Sequence, residues 1–157
     1  MDKESPWTGA RNGNPKLDSG SGLTAGSRVS ANDLIALLAA VYRNYGDFPA
    51  FLGALTVPDQ TPVNMLKGGP QIWATRVAVK TGSLSRPVSV FALAGYLRLA
   101  NGHWGAFAVI VNGTRQQPDI ALDRSLSAVR GDLVTILKTT GNAAPAGQTD
   151  LRDGQSG

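Results

Sequence analysis

Apolar residues in this 157-residue chain change their period along its length, and each period predicts an element. Leu34, Ile35, Leu37, Leu38, Val41, Tyr42 and Tyr45 recur at helical spacing and form one apolar face, which predicts a helix over Ala31–Tyr45. Ser30 is a suitable N-cap, and Asp33 three residues later completes a box-like pattern with the shorter acid. Gly46 is placed to end the helix, and Pro49 prevents simple continuation. Phe48–Leu55 suggests one or two further helical turns. Thr56–Gln71, with Pro58, Pro62, Gly68, Gly69 and Pro70, reads as a loop with little regular structure.

The pattern then changes to that of strands. Arg76–Lys80 is short, with Val77 and Val79 on one face and Lys80 expected to point to an open cleft along the strand edge. Val88–Leu99 is apolar on both faces, which requires cover from both sides. Asn101-Gly102 is a hairpin signal, Trp104–Val111 is the partner strand, and Asn112-Gly113 closes it. A last helix is expected over Ser125–Lys138, with Leu126, Val129, Leu133, Ile136 and Leu137 inward and Lys138 suited to its negative end.

The predicted order is helix, loop, three sequential antiparallel strands, helix. A sheet apolar on both faces needs helices on both faces. Two substantial helices are few for that task, which suggests that a covering piece lies elsewhere. Met1–Gly20 and Gly141–Gly157 are rich in Gly, Asn, Ser and charge. They bury too little apolar surface to offset ordering entropy and are expected to lack fixed structure, leaving 21–140 as the folded part.

Charge changes the picture little. The net charge is +4 with a pI near 9.8, but Arg28, Arg43, Arg76, Arg98, Arg115 and Arg130 are scattered and do not alternate with aromatics. That is a solvated basic surface and not a nucleic-acid footprint. The absence of cysteine excludes disulfides and thiolate metal sites. A single histidine, His103, cannot assemble a zinc site without partners. Met1–Pro6 has no apolar signal-peptide core. Val88–Leu97 is too short to span a bilayer and is closed by Arg98.

The chemistry concentrates at Lys80-Thr81-Gly82, expected to end the first strand and followed by Ser83. Taken alone, Lys80 also fits an edge-strand charge that prevents aggregation. Its surroundings extend the match. Arg76–Leu84 resembles the Lys-Thr-Gly strand of the class C, low-molecular-mass penicillin-binding carboxypeptidases. Val90–Tyr96, with Leu93-Ala94-Gly95-Tyr96, resembles that family's next strand. Phe107–Gly113, ending in Asn112-Gly113, resembles the strand after it. Gly20-Ser21-Gly22-Leu23-Thr24, Arg28-Val29-Ser30 and the Leu34–Leu38 run resemble the family's Gly-Ser-Gly-Leu-Ser segment and following helix. The resemblance covers about Gly20 to Lys138.

The resemblance implies an α/β (α+β) fold, the C-terminal part of the penicillin-binding, serine β-lactamase-like sandwich, with an antiparallel sheet flanked by helices. It implies a serine-type D-Ala-D-Ala carboxypeptidase acting on peptidoglycan stem peptides in the periplasm or cell envelope, trapped by β-lactams and needing no metal or organic cofactor. Lys80 would attract the substrate carboxylate and Thr81 would donate to it. Gly82 would let a peptide lie close along the edge, and the Ser83 N–H would serve the oxyanion hole.

The departures are as informative. No Ser-x-x-Lys occurs in the 157 residues, so neither the acylated serine nor its paired lysine is present. Ser30-Ala31-Asn32 fits Ser-x-Asn but follows the Gly-Ser-Gly-Leu segment, whereas the family's motif precedes it. Asp59-Gln60-Thr61-Pro62 only loosely echoes the family's Asp-Gly-Thr-Leu stretch, and Asp18 sits one residue early before Gly-Ser-Gly. The reading is therefore a fragment, inactive alone, that needs the missing N-terminal portion of the same protein. The rival readings are a non-catalytic envelope-binding module, a serine β-lactamase fragment and a basic nucleic-acid binder.

Overall fold

The computed structural model describes residues 15–18, 26–62 and 64–142. The readings made for 1–14, 19–25 and 143–157, the Gly-Ser-Gly-Leu segment among them, lie outside the described residues. The elements are α1 (Ala31–Arg43), α2 (Phe48–Gly53), α3 (Gln71–Arg76), β1 (Val77–Leu84), β2 (Val90–Arg98), β3 (Trp104–Asn112) and α4 (Leu122–Asn142). The three strands form an antiparallel sheet in the order β1-β2-β3, as their short connections require.

The two apolar faces of β2 explain how the layers assemble. Val77 and Val79 of β1, Phe91, Leu93 and Leu97 of β2 and Phe107 of β3 share one face, packed with Leu126, Val129, Leu133 and Leu137 of α4 and Trp73 of α3. Each such fully buried side chain contributes roughly 1.5–3 kcal/mol. The opposite face carries Ala78, Ala92, Ala94, Tyr96, Ala106 and Ala108. Short side chains there leave room for α1, which lies over β2 and β3. Phe48 of α2 meets Tyr96 edge-on, with ring centroids 5.2 Å apart, and Trp104 at 5.9 Å.

The capping box at Ser30 forms as the spacing predicts. The Asp33 N–H donates to Ser30 Oγ at 3.2 Å, and the Ser30 N–H donates back to Asp33 Oδ2 at 2.8 Å. The helix ends two residues earlier than expected. Asn44 is already extended (φ −89°, ψ 90°), so Tyr45 leaves the apolar face and is 87 % exposed.

Four further differences have local causes. The stretch expected to be an irregular loop contains two short 3₁₀ turns, Pro58–Gln60 and Asn64–Leu66, and then α3. Elements of three to six residues are too short to display a period. Arg76, expected in a strand, is the last residue of α3. Lys80-Thr81-Gly82 does not end β1 but lies within it, because main-chain pairing continues through Leu84↔Val90 after the apolar alternation stops. In α4 the inward residue is Val134 and not Ile136, which is 45 % exposed. Leu126, Val129, Leu133 and Leu137 set the buried stripe, and Ile136 lies about 100° around the helix from Leu137. α4 also extends beyond Lys138 at its C-terminal end, to Asn142.

Candidate functional site

Gly95 shows how closely β1 and β2 approach near the motif. A Cβ at Gly95 would lie 2.0 Å from the Ala78 carbonyl oxygen and 2.9 Å from Val79 Cα. No larger residue fits without separating the strands, which is the physical basis of the glycine in Leu93-Ala94-Gly95-Tyr96.

The backbone of β1 can be assigned an inner and an outer side. Thr56 N–H donates to the Val79 carbonyl at 2.8 Å, and Val79 N–H donates to the Thr56 carbonyl at 2.8 Å. Thr56 lies on the side of β1 away from β2, so the polar groups of Val79 point outward. Antiparallel strands alternate in this respect with a period of two. Thr81 and Ser83 therefore present their N–H and C=O outward as well, while Lys80 and Gly82 pair inward with Ala94 and Ala92. The Lys80 ammonium agrees with this assignment, since Nζ donates to the Thr81 carbonyl at 2.6 Å on the exposed side.

Val77 and Val79 are buried, and Lys80, Gly82 and Ser83 are exposed, with Thr81 between these extremes. Lys80, Thr81, Gly82 and Ser83 thus lie together along one open edge. A Cβ on Gly82 would meet nothing closer than the Cβ of Ala92 at 3.9 Å. The sheet itself would tolerate a side chain there. Two concavities, of about 380 and 580 Å³, flank α3, and neither is lined by Lys80, Thr81 or Ser83.

Ser30 is engaged as a helix cap. Its hydroxyl donates to Asp33 Oδ2 at 2.7 Å while accepting from the Asp33 N–H. These bonds hold the Asp33 carboxyl below its ordinary value: the Ser30 N–H first, then the Ser30 hydroxyl, partly opposed by desolvation. His103 is exposed in the β2–β3 turn, where its N–H donates to Asn101 Oδ1. Five residues, 99–103, join the two strands; the Leu99 N–H donates to the His103 carbonyl at 2.9 Å, and Gly102 turns the chain at φ +82°. Asp59 lies in the first 3₁₀ turn, whose Pro58 is buried, and Thr61 just after it is buried too. Asp18 donates its N–H to Ser27 Oγ at 3.3 Å.

Thr56 is the residue of this site that the sequence did not reveal. Its contact with β1 is purely main-chain, so any non-proline residue could make it, and no side-chain pattern marks it.

With the geometry in place, the comparisons add one finding. A sequence profile of the D-Ala-D-Ala carboxypeptidase 3 (S13) family matches residues 6–129. Comparison with curated proteins and with solved structures gives no match.

Proposed function

Because the chain belongs to the D-Ala-D-Ala carboxypeptidase 3 family, we propose that it supplies the substrate side of a serine-type acyl-transfer site and is inactive without a nucleophile-bearing partner segment. The open edge at Thr81 and Ser83, with Lys80 beside it, carries this reading. Lys80 and Thr81 hold the terminal carboxylate of a peptidoglycan stem peptide through charge and a hydroxyl donor. The Ser83 N–H donates to the oxyanion that forms when a serine Oγ adds to the D-Ala-D-Ala carbonyl. Collapse of that intermediate breaks the C–N bond and releases D-Ala with a proton on its amine. Water then cleaves the acyl-enzyme ester and regenerates the serine.

The serine and its base belong to a Ser-x-x-Lys that these 157 residues do not contain. On this reading the chain is the C-terminal part of a class C low-molecular-mass penicillin-binding protein, working at the cell envelope and inhibited by β-lactams when joined to its other half. The face of the sheet near Lys80 and Gly82, exposed among the described residues, is where such a half would sit.

A denaturing gel of the chain after incubation with a fluorescent penicillin tests the reading. No covalent band is expected. A band that survives denaturation and disappears on changing one serine to alanine would place the nucleophile in this chain and overturn it. Supplying the missing half as a co-expressed piece should produce labelling.

A further inference from the structure

The bridge between Thr56 and Val79 stands immediately beside the open edge, and its direction matters. Thr56 pairs with Val79 antiparallel to β1. Antiparallel continuation sets Leu55 opposite Lys80 and Val57 opposite Ala78. The preceding residue, Ala54, is the helical C-cap of α2, so the chain turns away from β1 there. The outer edge is thus occupied up to the level of Lys80 and open from Thr81 onward.

A peptide with its reacting carbonyl at the Ser83 N–H and its carboxylate toward Thr81 and Lys80 runs opposite to β1. It therefore runs head-on toward Leu55. Counting along the strand, the residue whose carbonyl reacts lies opposite Ser83 and the next lies opposite Gly82, with its carboxylate beside Thr81. One more residue reaches the level of Thr81, and a further one collides with Leu55. At about 3.4 Å per residue the open track beyond the reacting carbonyl is short.

We propose that Leu55 and Thr56 form a stop that determines specificity, restricting this edge to peptides that end within one or two residues of the reacting bond. The proposal rests on the reading of β1 as the substrate edge. It makes the chain select for a free C-terminus by excluding main-chain extension, separately from the attraction of Lys80 for a carboxylate. Thr56 and Leu55 are positioning residues, acting through the space they occupy and not on the reacting atoms.

The test is an amide-shift titration of the isotopically labelled 157-residue chain, following the Thr81 and Ser83 N–H signals. Three probes separate the effects: acetyl-Ala-D-Ala-D-Ala as the free acid, the same peptide as its C-terminal amide, and the same peptide extended by Gly-Gly-Gly and ending as an amide. The amide loses only the carboxylate. The extended peptide loses the carboxylate and also meets the stop. The expected order is acid, then amide, with the extended peptide weaker than the amide by about tenfold or more, an affinity ratio equal to about 1.4 kcal/mol. Leu55→Gly, which removes a side chain but keeps the main chain of the stop and both Thr56–Val79 bonds, should leave the extended peptide weaker than the amide; a rise to the level of the amide would overturn a main-chain stop. Equal binding of amide and extended peptide to the unchanged chain overturns the stop while leaving the substrate edge standing, and this comparison needs no variant. If the free acid moves neither Thr81 nor Ser83, the substrate-edge reading fails and the stop fails with it.

Discussion

The Tyr96 hydroxyl on β2 donates a 2.6 Å hydrogen bond to the main-chain carbonyl of Leu38 on α1, 58 residues away in the chain. Both residues are buried. The bond fixes the helix over the alanine-rich face of the sheet and satisfies a hydroxyl that would otherwise be desolvated without a partner.

Tyr96→Phe should therefore destabilise the chain by about 1–3 kcal/mol, because the Leu38 carbonyl loses its added donor in a dry environment. Urea unfolding followed by tryptophan fluorescence measures this. Burial also raises the Tyr96 hydroxyl above its ordinary value of 10.0. A raised folded-state value gives stability that is complete below pH 10 and is lost as pH rises through the folded value. The Phe variant should show a flatter alkaline limb.

The cap of α1 predicts the opposite dependence. Asp33 is depressed by the Ser30 N–H and hydroxyl, so its contribution is complete above the ordinary value of 3.8 and is lost as pH falls through the lower folded value. Asp33→Asn should be less stable at neutral pH and lose less on acidification below that point. Ser30→Ala, which removes the cap oxygen, should cost about 1 kcal/mol. Thermal unfolding across the acid range would show both, and identical acid limbs for Asp33→Asn and the unchanged chain would count against the assignment.

Two glycines of adjacent strands should respond differently to the same substitution. Gly95→Ala places a methyl 2.0 Å from the Ala78 oxygen. The strands must part, with a loss at or above the roughly 1–3 kcal/mol of ordinary overpacking. Gly82→Ala meets only Ala92 at 3.9 Å and should change stability within about 0.5 kcal/mol. If the edge takes a peptide, Gly82→Ala should nevertheless weaken binding of acetyl-Ala-D-Ala-D-Ala. Comparable unfolding losses for the two variants would contradict the close approach at Gly95.

Thr81→Val replaces a hydroxyl by a methyl of similar size. If the proposed function holds, then in a protein that joins this segment to a serine-bearing half the substrate carboxylate would lose a charge-assisted bond worth roughly 1.5–3 kcal/mol, about tenfold or more in kcat/KM. The loss should be smaller on a substrate with an amidated C-terminus. Equal losses on the two substrates would show that Thr81 does not read the carboxylate.

The sequence alone determined the elements whose side chains alternate or recur over enough residues to be read. α1 with its Ser30–Asp33 box, the two long strands, the hairpin at Asn101-Gly102 and the inward residues Leu126, Val129, Leu133 and Leu137 all follow from local spacing. So does the clustering of Lys80, Thr81, Gly82 and Ser83, since neighbours in sequence stay neighbours in space. Tertiary structure decided what depends on main-chain bonds between distant segments. Lys80-Thr81-Gly82 lies inside β1 because β2 supplies hydrogen-bond partners as far as Leu84, whatever the polarity of the side chains. Ile136 turns outward because the rotation of α4 is set by the sheet it meets. α3 forms in a segment too short for periodicity and is tied to the preceding turn by Trp73 Nε1, which donates to the Leu66 carbonyl at 3.0 Å. Thr56 closes one end of the open edge through its N–H and C=O alone. Those groups are common to nearly every residue, so only the folded chain distinguishes this pair from any other.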